Sequence, residues 1–295
     1  MGDFAIDTAI DGGDGSYRAQ LSRDWEIWGP NGGYIAAILL RAAGAHSGLP
    51  RPATLAVHFL GSAQFEEVQL STETLRAGRR SESIRVAMRQ GDRPIAEAMV
   101  WTVSDDVAGP EHDWTAMPDA PGPDDLRPLT ELLAEEGEPI FPFWNNLELR
   151  PTRWLTRAEW EQERPMEPRI RGWFRFAPTP VFTDPFVEAA RVALLLDTEG
   201  WPAAVQAMDP AHSREWMAPN MDLHVTFHEP PAGAPWLLCE AHAPLAHGGL
   251  IGATATVWSP DGRLLGTAIQ QMMLRNMPSM PAALAEANAP AEHPT

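Results

Sequence analysis

Cysteine is almost missing from this sequence. Its 295 residues contain one, Cys239, so no internal disulfide and no multi-cysteine zinc site can be assembled. A lone thiol fits a reducing compartment, with Cys239 expected as a small buried residue. Long apolar runs are missing too. No stretch approaches the ~18 uninterrupted apolar residues of a membrane span, and the opening Met1 to Gly13 is acidic where a secretory signal would be basic and then apolar. The expectation is a cytoplasmic protein without membrane association. Basic residues are scarce as well: 22 Lys and Arg stand against 40 Asp and Glu, a formal charge of −18. That balance repels nucleic-acid backbones and anionic membrane surfaces, so no nucleic-acid partner is expected. A small anionic ligand is not excluded, because a few arginines or a helix N-terminus can hold phosphates whatever the net charge. No metal and no cofactor are implied. His58, His224 and His228 lie in or beside strand-like text without metal-ligand spacing, which reads as structural.

What is present, at 44% apolar residues, is enough to build a packed core. Asn31-Gly32-Gly33-Tyr34 opens a run of helix formers from Ile35 to Ala43 that is apolar on nearly every side and ends, on this reading, at a glycine C-cap, Gly44. Such a helix must be wrapped by other structure. Strand-like stretches follow at residues 54–60, 68–75, 83–89 and 95–103; Ile84, Val86 and Met88 alternate with Arg85 and Arg89. Turn signals at Gly78 and Gly91-Asp92 separate them, which gives a helix followed by an antiparallel meander.

From Ser104 to Pro128 the text turns to Asp, Pro and Gly, as a linker would. Residues 150–169 read as polar helix and loop, and 169–176 alternate like a strand. Then the first pattern returns. Asp184-Pro185 makes an N-cap and N1 pair before an apolar helix that runs to Asp197 and that Gly200 and Pro202 are expected to stop. Strands are expected at 223–228, 236–243, 251–258 and 264–274, with Pro260 to Arg263 as the last hairpin turn. Leu55 to Phe59 matches Leu223 to Phe227 at an offset of 168 (227 minus 59). Gly91-Asp92-Arg93 matches Asp261-Gly262-Arg263 at 170 (263 minus 93). One α+β unit therefore occurs twice, each a sheet curled around one helix. The expected layout is an N-terminal unit over 1–108, linker and surface loops over 109–149, a C-terminal unit over 150–280 and a flexible tail over 281–295.

Two helix-plus-meander units, the Asn31-Gly32-Gly33 start of the first helix, and the ending Thr267-Ala268-Ile269-Gln270-Gln271-Met272-Met273-Leu274-Arg275 resemble the acyl-CoA thioesterase II family, across roughly Trp25 to Arg275. The resemblance implies a double hotdog that hydrolyses acyl-CoA. In that family an Asp late in the second central helix, a Thr just before the next strand and a Gln near the end of the last strand hold the attacking water. The Asp falls on Asp197 and the Gln on Gln270; the Thr position is Asn220, a departure, although an amide also donates and accepts.

Asp197 follows Leu194-Leu195-Leu196 near the C-terminus of an apolar helix, where the helix dipole and burial both disfavour a negative charge and would raise its pKa toward a useful general base. The plainer reading is that it marks where the helix meets solvent. Gln270 and Gln271 point to opposite faces of their strand, so one can be buried and will then need partners. Backbone amides around Gly32 and Gly33 are candidates for an oxyanion site, or the glycines merely allow close helix packing. Arg76, Arg79, Arg80, Arg85 and Arg89 form a basic cluster that would suit CoA phosphates or a solvated sheet face. No Gly-x-Ser-x-Gly elbow is present, which disfavours a serine hydrolase. A hotdog hydratase or dehydratase would need an Asp-x-Asn-Pro-x-His type stretch, and residues 208–212 lack its Asn. A non-catalytic binder of acyl-CoA or another hydrophobic ligand stays open. So does oligomeric state, since a double hotdog already contains the pairing that single hotdogs build as homo-oligomers.

Overall fold

The computed structural model describes residues 1–163, 166–209 and 213–277. The expected tail over 281–295 and the last residues assigned to the C-terminal unit lie outside the described residues. In chain order the elements are α1 (Phe4–Asp7), β1 (Asp11–Gly13), β2 (Ser16–Gln20), α2 (Gly32–His46), β3 (Arg51–Phe59), β4 (Glu67–Ala77), β5 (Ser81–Gln90) and β6 (Arg93–Val103). After them come α3 (Leu129–Glu136), β7 (Leu147–Pro151), α4 (Arg157–Gln162), β8 (Arg169–Phe176), α5 (Pro185–Thr198) and α6 (Gly200–Ala207). The chain closes with β9 (Trp216–Met217), β10 (Asn220–Phe227), β11 (Leu237–His247), β12 (Leu250–Trp258), β13 (Leu264–Met273) and β14 (Arg275–Asn276).

Twelve strands form one antiparallel sheet in the order β1-β2-β4-β5-β6-β3-β10-β13-β12-β11-β8-β7. The first unit supplies β1 to β6 and the second the rest, and they join where β3 pairs with β10. That seam is symmetric: Leu223 faces Val57 and Val225 faces Leu55, a reciprocal pairing of the residues related by the 168-residue offset. The other offset holds as register. Ala98 lies opposite Val57 in β6–β3, and its counterpart Ala268 lies opposite Val225 in β13–β10. Even the irregularity repeats, with a bulge at Pro52/Thr54 and another at Asn220/Asp222. The two meanders are two copies of one unit about a local two-fold axis, the α+β double hotdog.

Helices α2 and α5 lie side by side against the inner face of this sheet, α2 on β3 to β6 and α5 on β10 to β13. Both are buried nearly all round, as their apolar composition requires. Leu194, Leu195 and Leu196 are fully enclosed, and each such side chain stabilises the fold by roughly 1.5–3 kcal/mol. The helices run antiparallel: the start of α2 meets the end of α5 at Gly33 and Leu194, while Phe186 near the start of α5 covers Gly44 near the end of α2.

Two helix ends differ from expectation. Gly44 is no C-cap; α2 continues to His46, and the glycine serves instead to admit the Phe186 ring, whose Cγ would lie 2.4 Å from an added Cβ. Gly200 and Pro202 do not end the helical path either. After a break at Glu199 they open α6, where a proline in the first turn gives up no intrahelical hydrogen bond. Cys239 is buried, as expected of a small free cysteine.

Candidate active site

Where α5 ends, its last turn faces the first turn of α2. Asn31 caps α2 by accepting from the Tyr34 amide at 3.0 Å, which leaves the amides of Gly32 and Gly33 without helical acceptors. The Asp197 side chain occupies that end. A Cβ added to Gly32 would stand 2.9 Å from its Oδ2, and one added to Gly33 would stand 2.7 Å from the Leu194 Cα. Both glycines are therefore required for the approach. Asp197 is 5% exposed. Burial pushes its pKa up to about 6, while Asn220 and the Gly33 amide draw it back down. The dipole of its own helix opposes the charge and that of α2 favours it, a compensation invisible along the chain.

Asn220 Nδ2 donates to Asp197 Oδ1 at 2.6 Å and lies 3.2 Å from the Asp197 carbonyl oxygen. Since the carboxylate accepts, the amide orientation is fixed, and Asn220 Oδ1 is left buried without a partner. Gln270 is arranged the same way. Its Nε2 donates to the Leu196 carbonyl at 3.4 Å, and its Oε1 is buried and unpartnered. The backbone N–H of the next residue, Gln271, donates to Asp222 Oδ1 at 2.9 Å.

Beside Asp197 opens a cavity of about 540 Å³. Asp197, Asn220 and Gly32 are in its wall; Gln270 is not, standing one layer behind against Gly200, where an added Cβ would lie 2.3 Å from its Nε2. Five indoles line the space, those of Trp28, Trp144, Trp160, Trp201 and Trp216, with Phe59 and Phe141 beside them. Trp28 and Trp201 meet edge to face with centroids 6.2 Å apart, and Trp160 Nε1 donates to the Gln206 carbonyl at 3.3 Å. Arg275 of β14 is the cation in the wall among the described residues, and none of Arg76, Arg79, Arg80, Arg85 and Arg89 takes part. In that cluster Arg85 pairs with Glu97 and Arg89 with the Asp92 carbonyl on the solvated face of the sheet.

Sequence reasoning passed over Glu199. It sits between α5 and α6, 4% exposed, with Oε1 unpartnered, and burial pushes its pKa up to about 8. Its burial had no signal, because Thr198-Glu199-Gly200 reads as a helix stop. His58 and His224 stack edge to face on the outer surface of the sheet, ring centroids 6.2 Å apart, and His228 contacts Thr267 Oγ1 at 3.2 Å. Among the described residues no group of three His, Cys, Asp or Glu side chains is placed to hold a metal ion. No helix among them is long and apolar enough to cross a membrane. The stretch compared with a dehydratase motif falls partly outside the described residues, at 210–212.

Two hotdog units thus share one sheet around two central helices, with the buried Asp197 carboxylate between the helix ends. Residues 21–103 match the acyl-CoA thioesterase N-terminal domain and residues 119–274 the acyl-CoA thioesterase C-terminal domain, so the chain belongs to the acyl-CoA thioesterase family. A conserved protein of unknown function with a hot dog fold from Alicyclobacillus acidocaldarius is similar in structure, with TM-score 0.74 and 22% identity over 94% of this chain and 98% of that one. The tesB protein of Mycobacterium avium subsp. paratuberculosis gives 0.73 and 22% over 92% and 98%. Acyl-CoA thioesterase II TesB2 of Mycobacterium marinum gives 0.71 and 20% over 93% and 99%. No curated protein matches the chain in sequence.

Proposed function

We propose that the chain hydrolyses acyl-CoA to a free acid and CoA in a single displacement, with Asp197 as general base. The observation that carries this reading is the Asp197 carboxylate itself, at the cavity wall, hydrogen-bonded by Asn220 and facing the α2 N-terminus, with a pKa near 6. It is ionised at neutral pH yet basic enough to take a proton. A water at the cavity face of Asp197 gives a hydrogen to the carboxylate, which offers only acceptors, and a lone pair is thereby left for the thioester carbon. Gln270 braces the α5 terminus through the Leu196 carbonyl and holds its own acceptor in reserve at that helix end.

As the water oxygen bonds to the carbonyl carbon, its proton passes to Asp197 and charge develops on the thioester oxygen. The first-turn amides of α2 suit that charge, Gly32 in particular, since Gly33 is already turned to the carboxylate. Collapse breaks the C–S bond, and the proton on Asp197 goes to the departing CoA sulfur. No covalent enzyme intermediate is required. Thiol release from acyl-CoAs, followed with a thiol-reactive dye for the wild type, Asp197→Ala and Gln270→Ala, tests the scheme. Release by the wild type and its loss in folded variants is the expected outcome. Binding without any release would leave a silent acyl-CoA binder, with Asn220 in place of the family's Thr as the first suspect.

A further inference from the structure

Resting on the thioesterase reading, we infer that the acyl group this cavity selects is compact and aromatic, of the benzoyl or phenylacetyl kind, rather than a long unbranched chain. The wall is unusual in its rigidity. Five of the 12 tryptophans of the chain surround one space, against two of its 12 methionines, Met217 and Met272. Methionine-rich walls adapt to many flexible ligands. Indoles have two side-chain torsions and present flat, fixed surfaces.

These indoles are also held in place. Trp28 and Trp201 buttress each other edge to face, and Trp160 is tied through its N–H to the α6 backbone. They come from separate parts of the chain: the segment before α2, the stretch before β7, α4, α6 and β9. Their convergence on one cavity is a property of the fold rather than of a local aromatic run.

A planar ring meets such walls through stacked or edge-to-face contacts that add to simple area burial, and two or three of them amount to roughly a tenfold preference. A long alkyl chain finds the same apolar area but gives up torsional freedom at every methylene to lie between rigid plates. Apart from Asp197 and Arg275 the wall carries no charged side chain among the described residues, so most of the surface that meets the acyl group is uncharged.

The test is kcat/KM by thiol release for phenylacetyl-CoA and benzoyl-CoA beside octanoyl-CoA and palmitoyl-CoA. It is run on the full chain and on Trp201→Ala and Trp201→Phe. The expected result is an aryl-to-palmitoyl ratio of about ten or more in the wild type, collapsing in Trp201→Ala and largely restored in Trp201→Phe. A palmitoyl value equal to or above the aryl values overturns the inference, as does a ratio that Trp201→Ala leaves unmoved. The same four thioesters are titrated into Asp197→Asn by tryptophan fluorescence, so that selectivity is read without turnover. If no thioester is cleaved, the hydrolase reading fails and this titration decides alone: tighter binding of the aryl thioesters supports the inference, and equal or weaker binding overturns it.

Discussion

The two ends of the α2–α5 helix pair occupy related places in the internal repeat, yet they differ completely in what they hold. The N-caps Asn31 and Asp184 set the helical offset at 153 (184 minus 31). At that spacing Gly33 corresponds to Phe186 and Gly44 to Asp197. At one end a glycine backbone admits a carboxylate; at the other the glycine admits a phenyl ring. The strand offsets extend the comparison. Asn220 corresponds to Pro52, at the same bulge, and Gln270 to Val100, paired with Leu55 as Gln270 is paired with Leu223. Every polar member of the candidate site thus has an apolar counterpart at the related end. The scaffold supplies the approach of helix to helix twice, whereas the proposed chemistry uses the unpaired amide oxygens of Asn220 and Gln270, which stand at one end. Burying such groups costs about 1–3 kcal/mol each when no partner is present, a cost that Pro52 and Val100 do not incur at the related positions.

Removing the carboxylate breaks this difference most severely. Asp197→Asn keeps the shape and deletes the base, so kcat should fall by about 10²–10⁴-fold, measured by thiol release. Stability should move the other way. A carboxyl whose folded pKa, about 6, exceeds its unfolded value of 3.8 holds its proton more tightly when folded. The Asp197 contribution to wild-type stability therefore declines as pH rises from about 4 to about 6 and stays lower above that. The variant should match the wild type near pH 4 and exceed it by up to about 2–3 kcal/mol at pH 8, read from urea unfolding midpoints. A variant less stable than wild type at pH 8 would mean that the charge is compensated by α2 more fully than its pKa indicates.

Alanine at the two related glycines sharpens the comparison further. Gly33→Ala presses on the Leu194 backbone and on the Asp197 Cβ, 3.0 Å from the new atom, so it should cost about 1–3 kcal/mol and at least tenfold in kcat. Gly44→Ala presses on the Phe186 ring and should cost comparable stability while leaving kcat within about twofold, since neither residue lines the Asp197 cavity. Thermal melts and initial rates of the pair decide it; equal losses of activity would show that the two ends communicate. Asn220→Ala is milder. It removes a donor that lowers the Asp197 pKa, so the acid limb of kcat/KM should move above pH 6, with a drop of about tenfold at neutral pH. An unmoved limb would separate Asn220 from the carboxylate in function.

Much of this was legible along the chain because it is carried by periodicity. The two apolar helices, the alternating strands and the offsets of 168 and 170 all repeat at spacings that backbone geometry imposes. Asp197 was legible as a charge in the wrong place, after three leucines, and Gln270 as one of two neighbouring amides that must face opposite ways. The hairpin of β1 and β2 and the edge strand β7 were not, since they are short and gain their stability from joining the sheet. Helix α6 was hidden by Gly200 and Pro202, residues that start a helix as readily as they end one. The aromatic cavity was hidden by distance, as its five indoles lie between residues 28 and 216 and no local pattern links them. The start of α2 opposing the end of α5 is a tertiary fact, and so is the favourable dipole it brings to Asp197.

Glu199 offers the smallest effect on turnover and the cleanest contrast with its neighbour two residues away. Both carboxyls are buried and both have raised pKa values, but Asp197 reaches the cavity and has a donor on it, whereas Glu199 is absent from the cavity wall and has burial alone acting on it. With a folded pKa of about 8 against 4.5 unfolded, Glu199 stays protonated in the folded chain at neutral pH. The unfolded chain binds fewer protons between those values, so this group lowers stability progressively as pH rises from about 4.5 to about 8, with no further loss above. Glu199→Gln removes the titration and keeps the size. The stability difference between the variant and the wild type should therefore widen with pH up to about 8 and then level off, at a few kcal/mol at most, while kcat stays within about twofold across the range. Denaturant midpoints at pH 5, 7 and 9 beside rates at the same pH values check both parts. A loss of kcat in Glu199→Gln would transfer part of the proton chemistry from Asp197 to the residue that the sequence disguised as a helix stop.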